Sequence, residues 1–436
     1  MLKRLTDKPL LNKAFLSLFS LQFLGAFNDN LVKNAVAILI SYRLVSEADA
    51  GFWLSVAAGL FILPFMLISP WAGRLADHYD KVRLIRLIKL AEIGLALLAA
   101  WALISQQLLW LLVAVTALGV QSAFFGPIKY AIIPERVAPS RWMQANAWFS
   151  GSTFIAILLG TLLGGLGALN DYNLLLLSVG IIIVALLGVG ASFLVQPRTQ
   201  TDSSRLLSPK VGLGYWSSMH QVWQGWGDGR GRLVIAISLF WFIGATLLSQ
   251  LPHWVQSLGG NEQVAIIWLA GFALCFGIGA GLRASLRWLS WRQQAWWLGL
   301  MALVLADAAW LSYQAEPQAL VYPSVFFSDL TAWRVSVDLA IIALLGGLYS
   351  VPLYTQLQKQ VPAQARARAF ALNNVMNALW MVASALALML GYSVGLTWPQ
   401  LAGLLAVMIM LMALWVAWRF GQTAWLIQRA NDEEQI

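Results

Sequence analysis

Charge and sulfur are both scarce in this chain. Only 11% of its 436 residues are Asp, Glu, Lys or Arg; there is one cysteine, Cys275, and three histidines, His78, His220 and His253. A single thiol excludes a disulfide framework or a cysteine-held cluster, and histidines so widely spaced offer no metal-ligand pattern. No cofactor or metal is therefore expected. No nucleophile, base and orienting group can be assembled either, so enzyme activity in this chain is not expected. What is abundant is apolar: 60% of residues are hydrophobic, the composition of an integral membrane protein. The formal net charge of +9 would suit nucleic acid, but its lysines and arginines lie in short loops between apolar runs, which is a topology signal and leaves no nucleic-acid partner in view.

Runs of about 20 apolar residues mark spans. Twelve can be read, near 14–42, 51–73, 82–104, 107–131, 143–169, 173–196, 233–257, 264–285, 295–313, 335–357, 367–394 and 399–420. The first follows Lys3, Arg4, Lys8 and Lys13 and is too long and too polar at its centre for a cleaved signal peptide, so it is expected to remain as a span. Basic residues collect on alternate sides only: the N-terminal segment, the loop of Arg74, Lys81, Arg83 and Arg86, then Arg136 and Arg141, the 197–232 segment, Arg283 to Arg292, Lys359 to Arg368, and the C-terminal tail. The opposite loops carry Glu47, Asp49, Asp171, Glu262, Glu316 and Asp329. By the positive-inside rule both termini are cytoplasmic.

The fold expected is an all-α membrane protein of twelve helices in two pseudo-symmetric six-helix bundles, residues 1–196 and 233–436, joined by a cytoplasmic segment, 197–232. In that segment Trp216, Met219, Trp223 and Trp226 recur at helical spacing, as in an interfacial amphipathic helix or an aromatic loop packed on the bundle. The halves echo each other weakly. Pro127 and Tyr130 precede a basic loop and Ala145-Asn146-Ala147, while Pro352 and Tyr354 precede a basic loop and Ala369-Phe370-Ala371; Gly73 and Asp77 match Gly279 and Arg283 in spacing. Six-plus-six repeats around a central loop are the plan of alternating-access transporters.

The most informative stretch is Gln22 to Asn34, read Q-F-L-G-A-F-N-D-N-L-V-K-N. At 3.6 residues per turn Gln22, Gly25, Ala26, Asp29 and Lys33 form one stripe on one helix, with Asn30 and Asn34 beside it. A charge near mid-bilayer costs about 3 kcal/mol on insertion scales, so Asp29 is a functional candidate unless it only neutralises Lys33 one turn on. Glu92, one turn from Lys89, reads as a local ion pair; Asp307 lies deeper in its span, and Asp338 near the outer headgroups.

Two signatures follow. Gly73 to Arg83, G-R-L-A-D-H-Y-D-K-V-R, resembles the loop signature of the major facilitator superfamily, G-x-x-x-D-[RK]-x-G-[RK]-[RK], departing from it at His78 and Asp80. The resemblance implies a gating group of Gly73, Asp77, Lys81 and Arg83, the alternative being a charged turn that only sets topology. In the fifth span Gly151, Gly160, Gly164 and Gly165 partly resemble the antiporter signature of the superfamily's drug exporters, without its proline or terminal glycine pair; four-residue spacing of small residues reads as a packing seam.

A closer resemblance rests on Gln22-Phe23 with Asp29-Asn30, Phe125-Gly126-Pro127-Ile128-Lys129-Tyr130, Ala145-Asn146 before Ser152-Thr153, Leu239-Phe240-Trp241, Gly346-Gly347 before Pro352, and Asn373-Asn374-Val375-Met376-Asn377. Over about residues 10–420 the chain is similar to the bacterial lysophospholipid transporter family, and most to the branch often fused to an acyltransferase and an acyl-carrier-protein ligase (acyl-ACP synthetase). This implies inward movement of lysophospholipids across the bacterial inner membrane for reacylation. The chain here stops at Ile436 with no enzyme domain, and the resemblance implies a functional partnership with an acyltransferase or acyl-ACP synthetase. Only the headgroup needs shelter from hydrocarbon, because one acyl chain partitions into lipid unaided. The substrate-binding residues expected are Gln22, Asp29, Asn30, Lys33, Lys129, Tyr130, Asn146, Asn373 and Asn374, with Asp29 meeting an ammonium and Lys129 a phosphate. Lys129 can equally be an interfacial snorkelling lysine. Competing readings are a proton-coupled exporter of amphipathic drugs, with Asp29 titrating, and a non-transporting scaffold for an acyltransferase.

Overall fold

A computed structural model describes residues 13–168, 170–196, 230–285, 293–315 and 319–433. The 197–229 part of the central segment, with its Trp216 to Trp226 pattern, lies outside the described residues, as do the first twelve residues.

Among the described residues the long elements are all helices: α1 (Lys13–Leu39), α2 (Glu47–His78), α3 (Lys81–Ser105), α4 (Leu108–Ala131), α5 (Trp142–Gly167), α6 (Asp171–Leu194), α7 (Arg230–Ser257), α8 (Glu262–Ser285), α9 (Gln294–Gln314), α10 (Leu330–Gln360), α11 (Arg366–Ser393) and α12 (Trp398–Glu433). Eleven of these are long and apolar enough to cross a membrane. The other is α1, whose hydropathy is lowered by Gln22, Asn28, Asp29, Asn30, Lys33 and Asn34. Polar side chains cap three of the helix starts. Asp80 accepts from Arg83 N at 2.9 Å, Asn170 from Asn173 N at 2.8 Å and Asp329 from Ala332 N at 2.8 Å, each satisfying a donor that a helix N-terminus leaves open.

The chain forms two compact units, residues 1–238 with 354–382, and residues 239–353 with 383–436. In the first, the glycines of the fifth span are the seam expected of them. A side chain at Gly160 would meet Asn30 Cβ and Phe27 O at 2.7 Å, and one at Gly164 would strike the Leu31 carbonyl, so α1 and α5 touch backbone to backbone. Gly119 of α4 is likewise pressed on Phe61 of α2. In the second unit an aromatic cluster fills the core: Trp254 lies 5.4 Å from Trp398 and 5.8 Å from Trp268 between ring centroids. The indole N–H of Trp254 donates to Ser312 Oγ at 2.8 Å, and that of Trp268 to Ser336 Oγ at 2.9 Å, so neither is buried unsatisfied. A side chain at Gly346 would stand 3.2 Å from the Phe240 ring and one at Gly347 would strike the Phe276 carbonyl, which makes the pair a close-packing feature.

Two arginines break the charge alternation, and each is neutralised in place. Arg43 Nη1 lies 2.7 Å from Asp171 Oδ1, and Arg334 Nη2 lies 2.8 Å from Asp307 Oδ2. Asp307 thus has a partner on the neighbouring helix.

Candidate functional site

The stripe of α1 divides into two faces with different work. Gln22, Asn30 and Asn34 are helix ties: Gln22 Nε2 donates to Thr153 Oγ1 at 2.6 Å, Asn34 Nδ2 to Thr161 Oγ1 at 3.1 Å, and Asn30 Nδ2 to the Ala26 carbonyl at 2.7 Å. The first two contacts join α1 to α5. Asp29 and Lys33 are half-buried and not joined to each other. Asp29 Oδ2 accepts from Ser122 Oγ of α4 at 2.5 Å, while Lys33 Nζ stands 4.3 Å from the centre of the Phe61 ring of α2, a cation–π contact. Among the described residues neither makes an ion pair at salt-bridge distance, although each lies within electrostatic reach of the other.

The face of α4 that carries Ser122 continues through Gly126 to Lys129, at i, i+4 and i+7. Gly126 leaves the space that the Asn374 amide of α11 occupies. Lys129 is half-buried, 5.1 Å from the Tyr130 ring centre, and stands within electrostatic reach of Asp29. Seven residues separate Ser122 from Lys129, about 10 Å along the helix axis. An acid, two lysines and an amide are therefore spread along α1, α4 and α11 with no salt bridge among them.

At the C-terminal end of α4 the other expected residues are brought together for packing. The ring of Tyr130 stacks 4.5 Å from that of Tyr354 and 5.2 Å from that of Phe370. These are two of the positions that echo one another in the sequence. Gln358 donates to the Tyr130 carbonyl at 2.9 Å and accepts from Asn146 Nδ2 at 2.6 Å, and Asn146 also donates to Thr355 Oγ1 at 3.1 Å. Asn146 and Asn373 are buried at this level, which leaves Asn374 as the amide of the set that borders the Lys129 face.

The signature loop is organised around the first turn of α11. Asp77 Oδ1 accepts from Ala367 N at 2.9 Å; its Oδ2 accepts from Arg368 N at 3.2 Å and Arg368 Nε at 2.9 Å. A carboxylate on the open N–H groups of a helix start, with a guanidinium added, is a strong local contact. Gly73, one turn earlier, lets α2 approach so closely that a side chain there would meet the Ala367 carbonyl at 2.9 Å. Lys81 takes a different partner, Glu135 Oε1 at 2.7 Å, and Arg83 serves through its backbone N–H on Asp80.

Sequence reasoning missed Ser122, Gln121, Thr355 and Gln358. The signal for the first two was present, a polar pair inside an apolar span immediately before the Phe125 to Tyr130 motif. Among the described residues no group of three or more His, Cys, Asp or Glu is placed to hold a metal ion.

Long apolar helices in both units, half-buried charged and amide groups along α1, α4 and α11, and Asp77 bound at the start of α11 together describe a multi-pass membrane protein. The profile of the Major Facilitator Superfamily matches residues 18–385, and the chain belongs to that family. It is 27% identical over 359 residues to the lysophospholipid transporter LplT of Yersinia pestis (strain Pestoides F), covering 82% of this chain and 81% of that one. In fold it is similar to the human organic anion transporter MFSD10 (TETRAN), with a TM-score of 0.72 and 14% identity over 94% of this chain and 100% of that chain. It is also similar to a bacterial homologue of the iron transporter ferroportin, with a TM-score of 0.66 and 15% identity over 93% of this chain and 99% of that chain.

Proposed function

We propose that the protein moves lysophospholipids, such as lysophosphatidylethanolamine, from the outer to the inner leaflet of a bacterial inner membrane, where an acyltransferase with its acyl-ACP synthetase restores the second chain. The observation that carries this reading is the disposition of Asp29, Lys33, Lys129 and Asn374. They are charged and amide groups on three helices, half-buried and not consumed by one another. A zwitterionic headgroup has one cation and one anion, which such a path meets in turn: Asp29 takes the ammonium, and Lys129 and Lys33 take the phosphate as point-charge donors. The acyl chain stays in the bilayer and asks nothing of the protein. Similarity to the Yersinia transporter supports the substrate class.

In the same reading, residues 1–196 and 233–436 are the two bundles of an alternating-access device with cytoplasmic termini, and Gly73, Asp77 and the start of α11 form a clasp that opens and closes. Lys81 and Arg83 support the loop that presents it. Reacylation provides the test. Membranes containing the protein and a soluble acyltransferase should convert externally added radiolabelled lysophosphatidylethanolamine to the diacyl lipid faster than membranes without it. Equal rates would reject the proposal.

A further inference from the structure

The Lys89–Glu92 pair of α3 has no part in the path above, yet among the described residues of the first unit it is the most deeply buried charge pair. Lys89 is fully buried and Glu92 is 2% exposed, and their charged atoms are 2.6 Å apart. The space for the ammonium is made by two glycines: a side chain at Gly25 of α1 would stand 3.1 Å from Lys89 Nζ, and one at Gly188 of α6 would stand 3.5 Å from it. The Phe125 ring lies 5.6 Å from the same nitrogen.

This pair does not end in itself. Gln121 Nε2 of α4 donates to Glu92 Oε2 at 2.8 Å, which fixes the amide, because the opposite flip would set its carbonyl against a carboxylate. The Gln121 carbonyl is thereby turned to Ser122 Oγ at 3.3 Å, and Ser122 reaches Asp29 Oδ2 at 2.5 Å. Serine in a helix ordinarily returns its hydroxyl to a carbonyl one turn back, as Ser178 and Ser336 do here. Ser122 is instead turned to the carboxylate, and its single proton is donated mainly to Asp29 Oδ2 and shared, as a longer three-centre bond, with the Gln121 carbonyl. With Oδ2 occupied, Asp29 presents Oδ1.

We propose that Lys89, Glu92, Gln121 and Ser122 are positioning residues for Asp29: a buried ion pair anchors a hydrogen-bonded chain across α3 and α4 that sets which carboxylate oxygen faces a cationic headgroup. This rests on the reading of Asp29 as a headgroup residue. Buried ion pairs are poor sources of stability, since a packed apolar pair of similar volume replaces them at little cost or with a gain. A role in fixing one arrangement is a better reason for keeping one.

The test is a double-mutant cycle on the purified protein, with lysophosphatidylethanolamine binding as the readout. Gln121→Leu should weaken binding about tenfold, the loss expected for a hydrogen bond in a charged network, and should have no further effect in an Asp29→Asn background. Lys89→Met with Glu92→Leu should lower binding to the same degree with no fall in the unfolding midpoint. A Gln121→Leu effect of equal size in both backgrounds would overturn the proposal, as would unchanged binding in the Lys89/Glu92 double variant. A readout independent of lysolipid separates this from the parent reading: the infrared carboxyl band of Asp29, isolated as wild type minus Asp29→Asn, should shift in Gln121→Leu. A shift without lysolipid binding by the wild type keeps the positioning role and rejects the substrate. Binding without a shift keeps the substrate and rejects the positioning role.

Discussion

Lys129 shows how one residue separates two accounts that its sequence position leaves open. An interfacial lysine has its ammonium in water and loses nothing specific when neutralised, whereas Lys129 is half-buried with its head against the Tyr130 ring and within reach of Asp29. Lys129→Gln should therefore weaken binding of lysophosphatidylethanolamine by about tenfold, the usual scale for a charge-assisted hydrogen bond, and leave monoacylglycerol binding unchanged because that lipid has no phosphate. Equal losses for both lipids would return Lys129 to a packing role. Asp29 was legible at this scale because a carboxylate in an apolar run has few explanations. Its partner was not, since Ser122 and Gln121 are neutral, sit on another helix, and acquire meaning only when α4 is laid beside α1. Glu92 was legible as an ion pair through its spacing from Lys89, but the step from there to Asp29 crosses to Gln121 of α4, and no periodicity reports a contact between helices.

Among the elements, the α1–α5 seam and the clasp at the start of α11 make the sharpest predictions. A side chain at Gly164 has no room, because the Leu31 backbone occupies its place, whereas one at Gly59 meets nothing within 4 Å. Gly164→Leu should destabilise the protein by about 1–3 kcal/mol, the range for overpacking, and lower its unfolding midpoint in detergent, while Gly59→Ala should leave the midpoint nearly unchanged. The glycine spacing that predicts this seam was readable in sequence; which helix it faces was not. At the clasp, Asp77→Asn removes the charge from contacts with Ala367 N, Arg368 N and the Arg368 guanidinium, a loss of about 1–3 kcal/mol. Ala371 is fully buried, against Gly73. A cysteine placed there, with Cys275 replaced by serine, should react with a maleimide faster in the Asp77→Asn background. An unchanged rate would leave the signature loop with a topological role only. The loop itself was recognisable from its spacing despite His78 and Asp80, but its target at the start of α11, 290 residues away, could not be read from residues 73 to 83.

For the whole molecule, the helix count followed from hydropathy because a bilayer forces every backbone group into helical hydrogen bonds, so apolar runs and helices coincide. The weakest hydropathic signal is α1, for the same reason: its polar residues, Gln22, Asn30 and Asn34 held in hydrogen bonds and Asp29 and Lys33 half-buried, dilute the pattern that announces a span. The charge alternation read in the sequence has two local exceptions, Arg43 and Arg334, each paired with an aspartate. It leads to a sidedness prediction: a cysteine introduced at Lys210 should be labelled by an impermeant maleimide only in inverted membrane vesicles. Labelling in intact cells would contradict cytoplasmic termini and with them the inward direction. The central claim is that the protein carries a lysophospholipid headgroup past Asp29. It is tested most directly with purified protein in vesicles, by following fluorescent lysophosphatidylethanolamine from one leaflet to the other through its protection from a membrane-impermeant quencher. The account predicts rapid protection with the wild type and a rate no different from protein-free vesicles with Asp29→Asn at equal reconstitution; equal, rapid rates for the two proteins would contradict it.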